Sequence, residues 1–160
     1  MPRPYIFRLE ENKAIVRRLT EELNKGNMGI MDELFSPDFV HPALQLRGLE
    51  SYKQLETATR KAFPDLYDTI EDIIAEGDKV WVHATVTGTH TGEWRIVLPH
   101  INKEMRLTPT GKKITFTYVG IYRIADGKIA ERETVYDLMD LYKQLGVIEY
   151  TEKAKKLFPE

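Results

Sequence analysis

Between Ile6 and Leu23 the apolar residues Leu9, Val16, Leu19 and Leu23, with Ile15 beside them, recur at three- and four-residue steps among charges. This period predicts a surface helix that buries one stripe and ends at Gly26. Asn27 suits the N-cap of a second, short helix carrying Ile30-Met31 and Leu34-Phe35, which Ser36-Pro37 stops. A third helix is predicted after Gly48, with Tyr52, Leu55, Thr59, Ala62 and Phe63 facing inward and Pro64 closing it.

Beyond Pro64 the period falls from about 3.6 to 2, the mark of strands. Thr69 to Ala75 reads as one strand. Glu76-Gly77-Asp78 then turns the chain into a second, from Lys79 to Thr87, with Val80, Val82, Ala84 and Val86 on one face and Trp81, His83, Thr85 and Thr87 on the other. Strands follow from Lys113 to Ile124 and from Lys128 to Tyr136, and the Asp126-Gly127 pair between them predicts a type I′ hairpin turn. Leu138, Leu141, Tyr142 and Leu145 return to helical spacing before Gly146. The stretch from Thr89 to Lys112 contains Pro99 and Pro109, fits neither period, and is expected to be a ragged hairpin or a loop with a functional task. The fold class is therefore α+β: three N-terminal helices packed on the concave face of a curved mixed or antiparallel sheet, followed by a short C-terminal helix. Such a cone can enclose a pocket. One domain is expected over residues 1–160, with its core at 6–147 and a charged tail at 148–160.

Charge and composition narrow the chemistry. The 160 residues carry 23 Lys plus Arg against 25 Asp plus Glu, so no positive excess exists to hold a nucleic-acid backbone. The first 25 residues contain no apolar run long enough for a signal peptide or a membrane span, and the chain has no cysteine. A cytoplasmic location follows as the expectation, and thiolate catalysis, Cys-based zinc sites and disulfides are excluded. The four histidines lack the short spacing that zinc sites use, no Gly-rich phosphate loop or G-x-S-x-G is present, and Ser36 and Ser51 have no base near them in sequence. No metal and no other cofactor is therefore expected. What remains is carboxylate chemistry in a pocket whose walls draw on 8 Tyr, 6 Phe and 2 Trp.

Several motifs then occur in order. Ala62-Phe63-Pro64-Asp65-Leu66, Ala75-Glu76-Gly77-Asp78-Lys79-Val80, Gly88-Thr89-His90-Thr91-Gly92-Glu93, Thr108-Pro109-Thr110-Gly111-Lys112, Asp126-Gly127-Lys128-Ile129 with Glu131, and Asp137 with Gln144-Leu145-Gly146 together resemble the SnoaL-like polyketide cyclase or ester cyclase family, within the nuclear-transport-factor-like cone folds. The resemblance runs from about Asn12 to Val147. It implies a small-molecule pocket enzyme that works without a cofactor, closing a ring by an aldol-type step on a polyketide-like or otherwise carbonyl-activated substrate. In such a step an aspartate takes a proton from activated carbon and returns one to the new alkoxide; Asp137 resembles that residue. An isomerase or hydrolase built on the same carboxylate, and a non-catalytic ligand-binding or dimerisation module, are the alternatives.

Antiparallel register counted outward from the Asp126-Gly127 turn pairs Ile124 with Ile129, Tyr122 with Glu131, Gly120 with Glu133, Tyr118 with Val135 and Phe116 with Asp137. If that face is concave, Phe116, Tyr118, Tyr122, Glu133 and Val135 line the ligand site and Asp137 is a desolvated base. Asp137 also directly precedes a helix, so the other reading is a cap on its free amides. Glu133 departs from the family, which often has Trp there; at about 13 Å along the strand from Asp137 it cannot share a proton with it, but it can meet one elongated ligand or neutralise Arg123 or Arg132. His90 has inward parity at a strand end and is the candidate assistant to Asp137. His41 precedes Pro42 at an expected loop and can reach the pocket mouth, whereas His100 lies in the irregular stretch. Trp81, Val119 and Ile121 share the opposite face, where a homodimer contact is expected.

Overall fold

The computed structural model describes residues 4–98 and 103–157. Helices α1 (Tyr5–Asn24), α2 (Ile30–Leu34) and α3 (Leu49–Ala62) form where the helical period places them. The stripe of α1 buries Val16, Leu19, Thr20 and Leu23, while α3 buries Tyr52 and Ala62. The N-terminal part is not purely helical. Ser36-Pro37 does end α2, but the chain continues as strand β1 (Phe35–His41), then a 3-10 turn at Pro42–Leu44 and strand β2 (Leu46–Arg47). Phe35, Phe39 and His41 are the buried residues of β1. Pro37 is tolerated because the pairing of β1 with its neighbour is irregular between Phe35 and Val40, where no ladder donor is needed.

The main sheet has six strands in the order β2-β1-β8-β7-β4-β3, with β3 spanning Tyr67–Glu76, β4 Lys79–Thr89, β7 Lys113–Ala125 and β8 Lys128–Tyr136. β1 runs parallel to β8 and the other neighbours are antiparallel, so the sheet is mixed. The irregular stretch after Thr89 is a separate two-stranded hairpin of β5 (Trp94–Leu98) and β6 (Lys103–Leu107). Its tip, with Pro99 and His100, lies outside the described residues. Helices α4 (Leu138–Gln144) and α5 (Glu152–Lys155) follow the sheet.

The hairpin of β7 and β8 corrects the expected register. Ile124 does pair with Ile129, but the register then shifts, and Arg123 pairs with Glu131, Tyr122 with Arg132, Gly120 with Thr134 and Tyr118 with Tyr136. Ala130 is the extra residue of a bulge, and one extra residue turns every later side chain of β8 to the other face. The cavity face of β8 therefore presents Arg132, Thr134 and Tyr136 instead of Glu131, Glu133 and Val135. Beside them on β7, Gly120 leaves room for two rings: a Cβ there would lie 3.1 Å from both Tyr118 and Tyr122.

The motifs that carry the family resemblance hold the fold together. The Asp65 carboxylate accepts from the Thr89 backbone N–H at 2.6 Å and from its hydroxyl at 2.7 Å. The N–H groups of Thr91 and Gly92 both donate to the Ala62 carbonyl at 3.0 Å, satisfying the end of α3. Gly92 passes so close to the Lys61 carbonyl that no Cβ fits. Gln144 clamps α4 to β7 by accepting from the Thr115 N–H and donating to the Thr115 carbonyl, both at 2.8 Å. Asp126 and Gly127 take the positive φ values, 50° and 74°, of the expected hairpin turn.

Candidate functional site

Helices α1 and α3, the cavity face of the sheet and the β5–β6 hairpin surround a cavity of about 430 Å³. Its walls are mostly apolar and include the rings of Tyr52, Phe63, Trp94, Phe116, Tyr118, Tyr122, Tyr136 and Tyr142. The hairpin contributes Trp94 and Met105, and Tyr142 from α4 reaches Met105 Sδ at 3.6 Å. The stretch after Thr89 thus closes one end of the cavity.

Besides its tyrosines, the cavity is lined among the described residues by His41, Glu56, Arg60, Asp68 and Arg132. Asp68 comes from the start of β3, opposite Val86 of β4. Its position is fixed by Asn24 of α1, whose side chain accepts from the Asp68 N–H at 2.9 Å and donates to its carbonyl at 2.8 Å. Burial, reinforced by the nearby Glu56 charge, pushes the Asp68 carboxyl up from its ordinary range, while Arg132, Arg60 and the Tyr118 hydroxyl oppose this only in part. Arg60 lies 3.5 Å from the Asp68 carboxylate and 2.9 Å from that of Glu56. Burial also raises the phenols of Tyr118 and Tyr122, so both stay protonated and offer O–H donors. The His41 ring, 3% exposed, is held neutral: burial and the Arg132 charge lower its pKa to about 4, against a smaller opposing effect of its backbone.

Of the residues singled out from the sequence, the structure brings His41, Phe116, Tyr118 and Tyr122 to the cavity wall. His41 arrives on the unforeseen strand β1 and not on a loop at the mouth. Glu133, Val135, Asp137 and His90 are not on that wall. The bulge at Ala130 turns Glu133 and Val135 outward, and Val135 is 64% exposed. Asp137 is an exposed N-cap of α4, accepting from the Asp140 N–H at 2.9 Å. His90 is fully buried in a second apolar cluster, stacked on Phe63 at 5.0 Å. Its Nδ1 accepts from the Thr110 N–H at 3.2 Å and meets the Thr110 hydroxyl at 3.0 Å, which leaves the proton on Nε2 and ties the turn before β7 to the end of β4. Burial lowers its pKa as well.

Asp68, Glu56, Arg60 and Arg132 were not singled out in the sequence. The signal for Asp68 was its parity with Ile70, one step before the expected start of that strand. For Arg132 nothing in the local pattern marks the bulge that turns it inward. Among the described residues no three His, Asp or Glu side chains converge as metal ligands, and no helix is long and apolar enough to cross a membrane.

The profile of the SnoaL-like polyketide cyclase family matches residues 13–145. The aklanonic acid methyl ester cyclase DnrD of Streptomyces peucetius is 26% identical over 137 residues, covering 82% of this chain and 88% of that protein. Among solved structures, AclR from Streptomyces galilaeus superposes with a TM-score of 0.76 at 28% identity, over 93% of this chain and 90% of its own. TsrD from Streptomyces laurentii shares the fold with a TM-score of 0.73 at 24% identity, over 87% of this chain and 97% of its own. An aromatic cavity under a curved mixed sheet, the ordered motifs and this match over most of the chain lead to one conclusion: the chain belongs to the SnoaL-like polyketide cyclase family.

Proposed function

We propose that this protein is a cofactor-independent cyclase whose general acid/base is Asp68, acting on a carbonyl-activated small molecule of polyketide type. The observation that carries the reading is the position of Asp68: a carboxyl on the wall of the aromatic cavity, pushed up by burial, beside a neutral phenol donor. A carboxylate with a raised pKa removes a proton from carbon lying between carbonyls, a weak acid that needs no metal for ionisation. The resulting carbanion attacks a second carbonyl carbon of the same molecule, forming the C–C bond. The alkoxide so formed takes back the proton held by Asp68, and Tyr118 or Tyr122 donates a hydrogen bond to oxygen as its charge develops. Substrate and product are isomers, so no co-reactant is consumed.

Asp137, the aspartate expected from the family motif, is the competing assignment, and mutation separates the two. An aromatic β-keto ester carrying a pendant ketone serves as substrate, with the isomeric ring-closed product followed by chromatography. Asp68→Asn is expected to lower kcat by about 10²-fold or more, while Asp137→Asn leaves it within about twofold. The opposite pattern returns the base to Asp137. No difference between wild type and either variant sinks both base assignments, and no ring-closed product with wild type sinks the cyclase reading.

A further inference from the structure

The cavity holds one cation that this reading does not use. The Arg132 guanidinium carbon lies 5.1 Å from the ring centroid of Tyr122, 5.7 Å from that of Tyr118 and 5.8 Å from that of Tyr52. Its Nη1 donates to the Tyr52 hydroxyl, whereas Nε is shielded from water and has no hydrogen-bond partner. Among the described residues no carboxylate oxygen comes within 4 Å of the group, although ten other ion pairs form within that distance. The other cavity cation is served differently: Arg60 has Glu56, Asp68 and the Leu23 carbonyl, the last at 2.9 Å.

The Asp68 and Glu56 charges act on this guanidinium from beyond contact distance, so no protein oxygen of either carboxylate closes on it and a ligand oxygen can. The edge left over, Nε with Nη2, is the one that meets a planar two-oxygen anion through two parallel hydrogen bonds. Since Nε is shielded, an incoming oxygen meets Nη2 first. His41 is the neighbouring residue on the adjacent strand: the parallel pairing of Val40 with Glu131 sets it alongside Arg132, and both line the cavity. Its Nδ1 is likewise shielded and unpartnered. A neutral imidazole adds hydrogen-bonding capacity there without a second positive charge. The tyrosine faces that flank the guanidinium match a flat ring system.

We propose that this corner is a recognition site for a carboxylate carried by a flat aromatic ligand and anchored by Arg132. This deepens the cyclase reading by naming the substrate's charge, and it rests on that reading only in taking this cavity as the substrate's; Asp68 need not be the base for the anchor to stand.

Equilibrium binding of anthracene-2-carboxylate and of its neutral amide, followed by ligand fluorescence at pH 7, tests it without turnover. Wild type is expected to bind the carboxylate at least about tenfold more tightly than the amide. Arg132→Gln should bring the two within about twofold, and Arg132→Lys, which keeps the charge but loses the fork, should fall between. Equal affinities in wild type, no binding of either probe, or a preference that survives in Arg132→Gln overturns the proposal. If the Gln variant does not fold, the wild-type ratio and the Lys variant decide. Asp68→Asn is expected to keep the preference, so failure of the acid/base assignment and failure of the anchor leave different signatures.

Discussion

His41 shows how far one buried side chain sets the pH behaviour. Its pKa of about 4 in the folded chain lies below the roughly 6.5 of an unfolded histidine, so the unfolded chain takes up the proton first as pH falls. The stabilisation is fully present above about pH 6.5 and is lost between there and about pH 4, amounting to about 3 kcal/mol. Urea unfolding across this range should show that decline, and His41→Gln should flatten it. Asp68 runs the other way. Its folded pKa is raised, so its contribution is most favourable below an ordinary carboxylate pKa and is lost as pH rises through the folded value. The stability of Asp68→Asn relative to wild type should therefore improve as pH rises above an ordinary carboxylate pKa. Asp137 is a cap: Asp137→Ala should cost about 1 kcal/mol of stability, read from the urea midpoint.

Among the elements, the helices and the antiparallel hairpins were legible because each obeys a local rule: a stripe at 3.6, an alternation at 2, or an Asp-Gly turn. Strand β1 was not, because Ser36-Pro37 is a strong helix stop and only pairing with β8, nearly a hundred residues later, makes the following stretch a strand. The stretch holding β5 and β6, expected as a ragged hairpin or a loop, forms the hairpin; its place is set by long-range contacts, with Trp94 packing on Phe63 and meeting the Thr59 hydroxyl of α3. The junction between α3 and the end of β4 gives a direct test. Gly92→Ala would drive a methyl into the Lys61 carbonyl, which belongs to the helix backbone and cannot swing aside. Thermal unfolding should reveal a loss of about 1–3 kcal/mol, with the cavity residues untouched.

For the whole molecule, the sheet has one face on the cavity and one turned away. On the outer face Trp81 is 43% exposed, Ile74 61% and Val135 64%, with Val119 and Ile121 half-buried between them. These residues are neighbours across strands, since Ile74 pairs with Trp81, Trp81 with Ile121, and Val119 with Val135. An apolar patch of this kind is expected to bind a second copy of the chain. Sedimentation at tens of micromolar should give a dimer, and Trp81→Glu a monomer that keeps its fold by circular dichroism. The edge strand β3 is protected from further pairing by the irregularity at Glu71 and Asp72, which sets charge on its rim.

By itself the sequence determined the class of fold, the order of most helices and hairpins, and the family. These follow from short-range periods, turn residues and motifs that act over a few positions. Tertiary structure decided which carboxylate and which cation enter the pocket. The physical reason is the two-residue repeat of a strand: a single bulge at Ala130 exchanged Glu133 and Val135 for Arg132 and Thr134 on the cavity face, and nothing local in the sequence announces it. Asp68 likewise owes its raised pKa to burial and to charges that α3 and β8 bring to it from elsewhere in the chain.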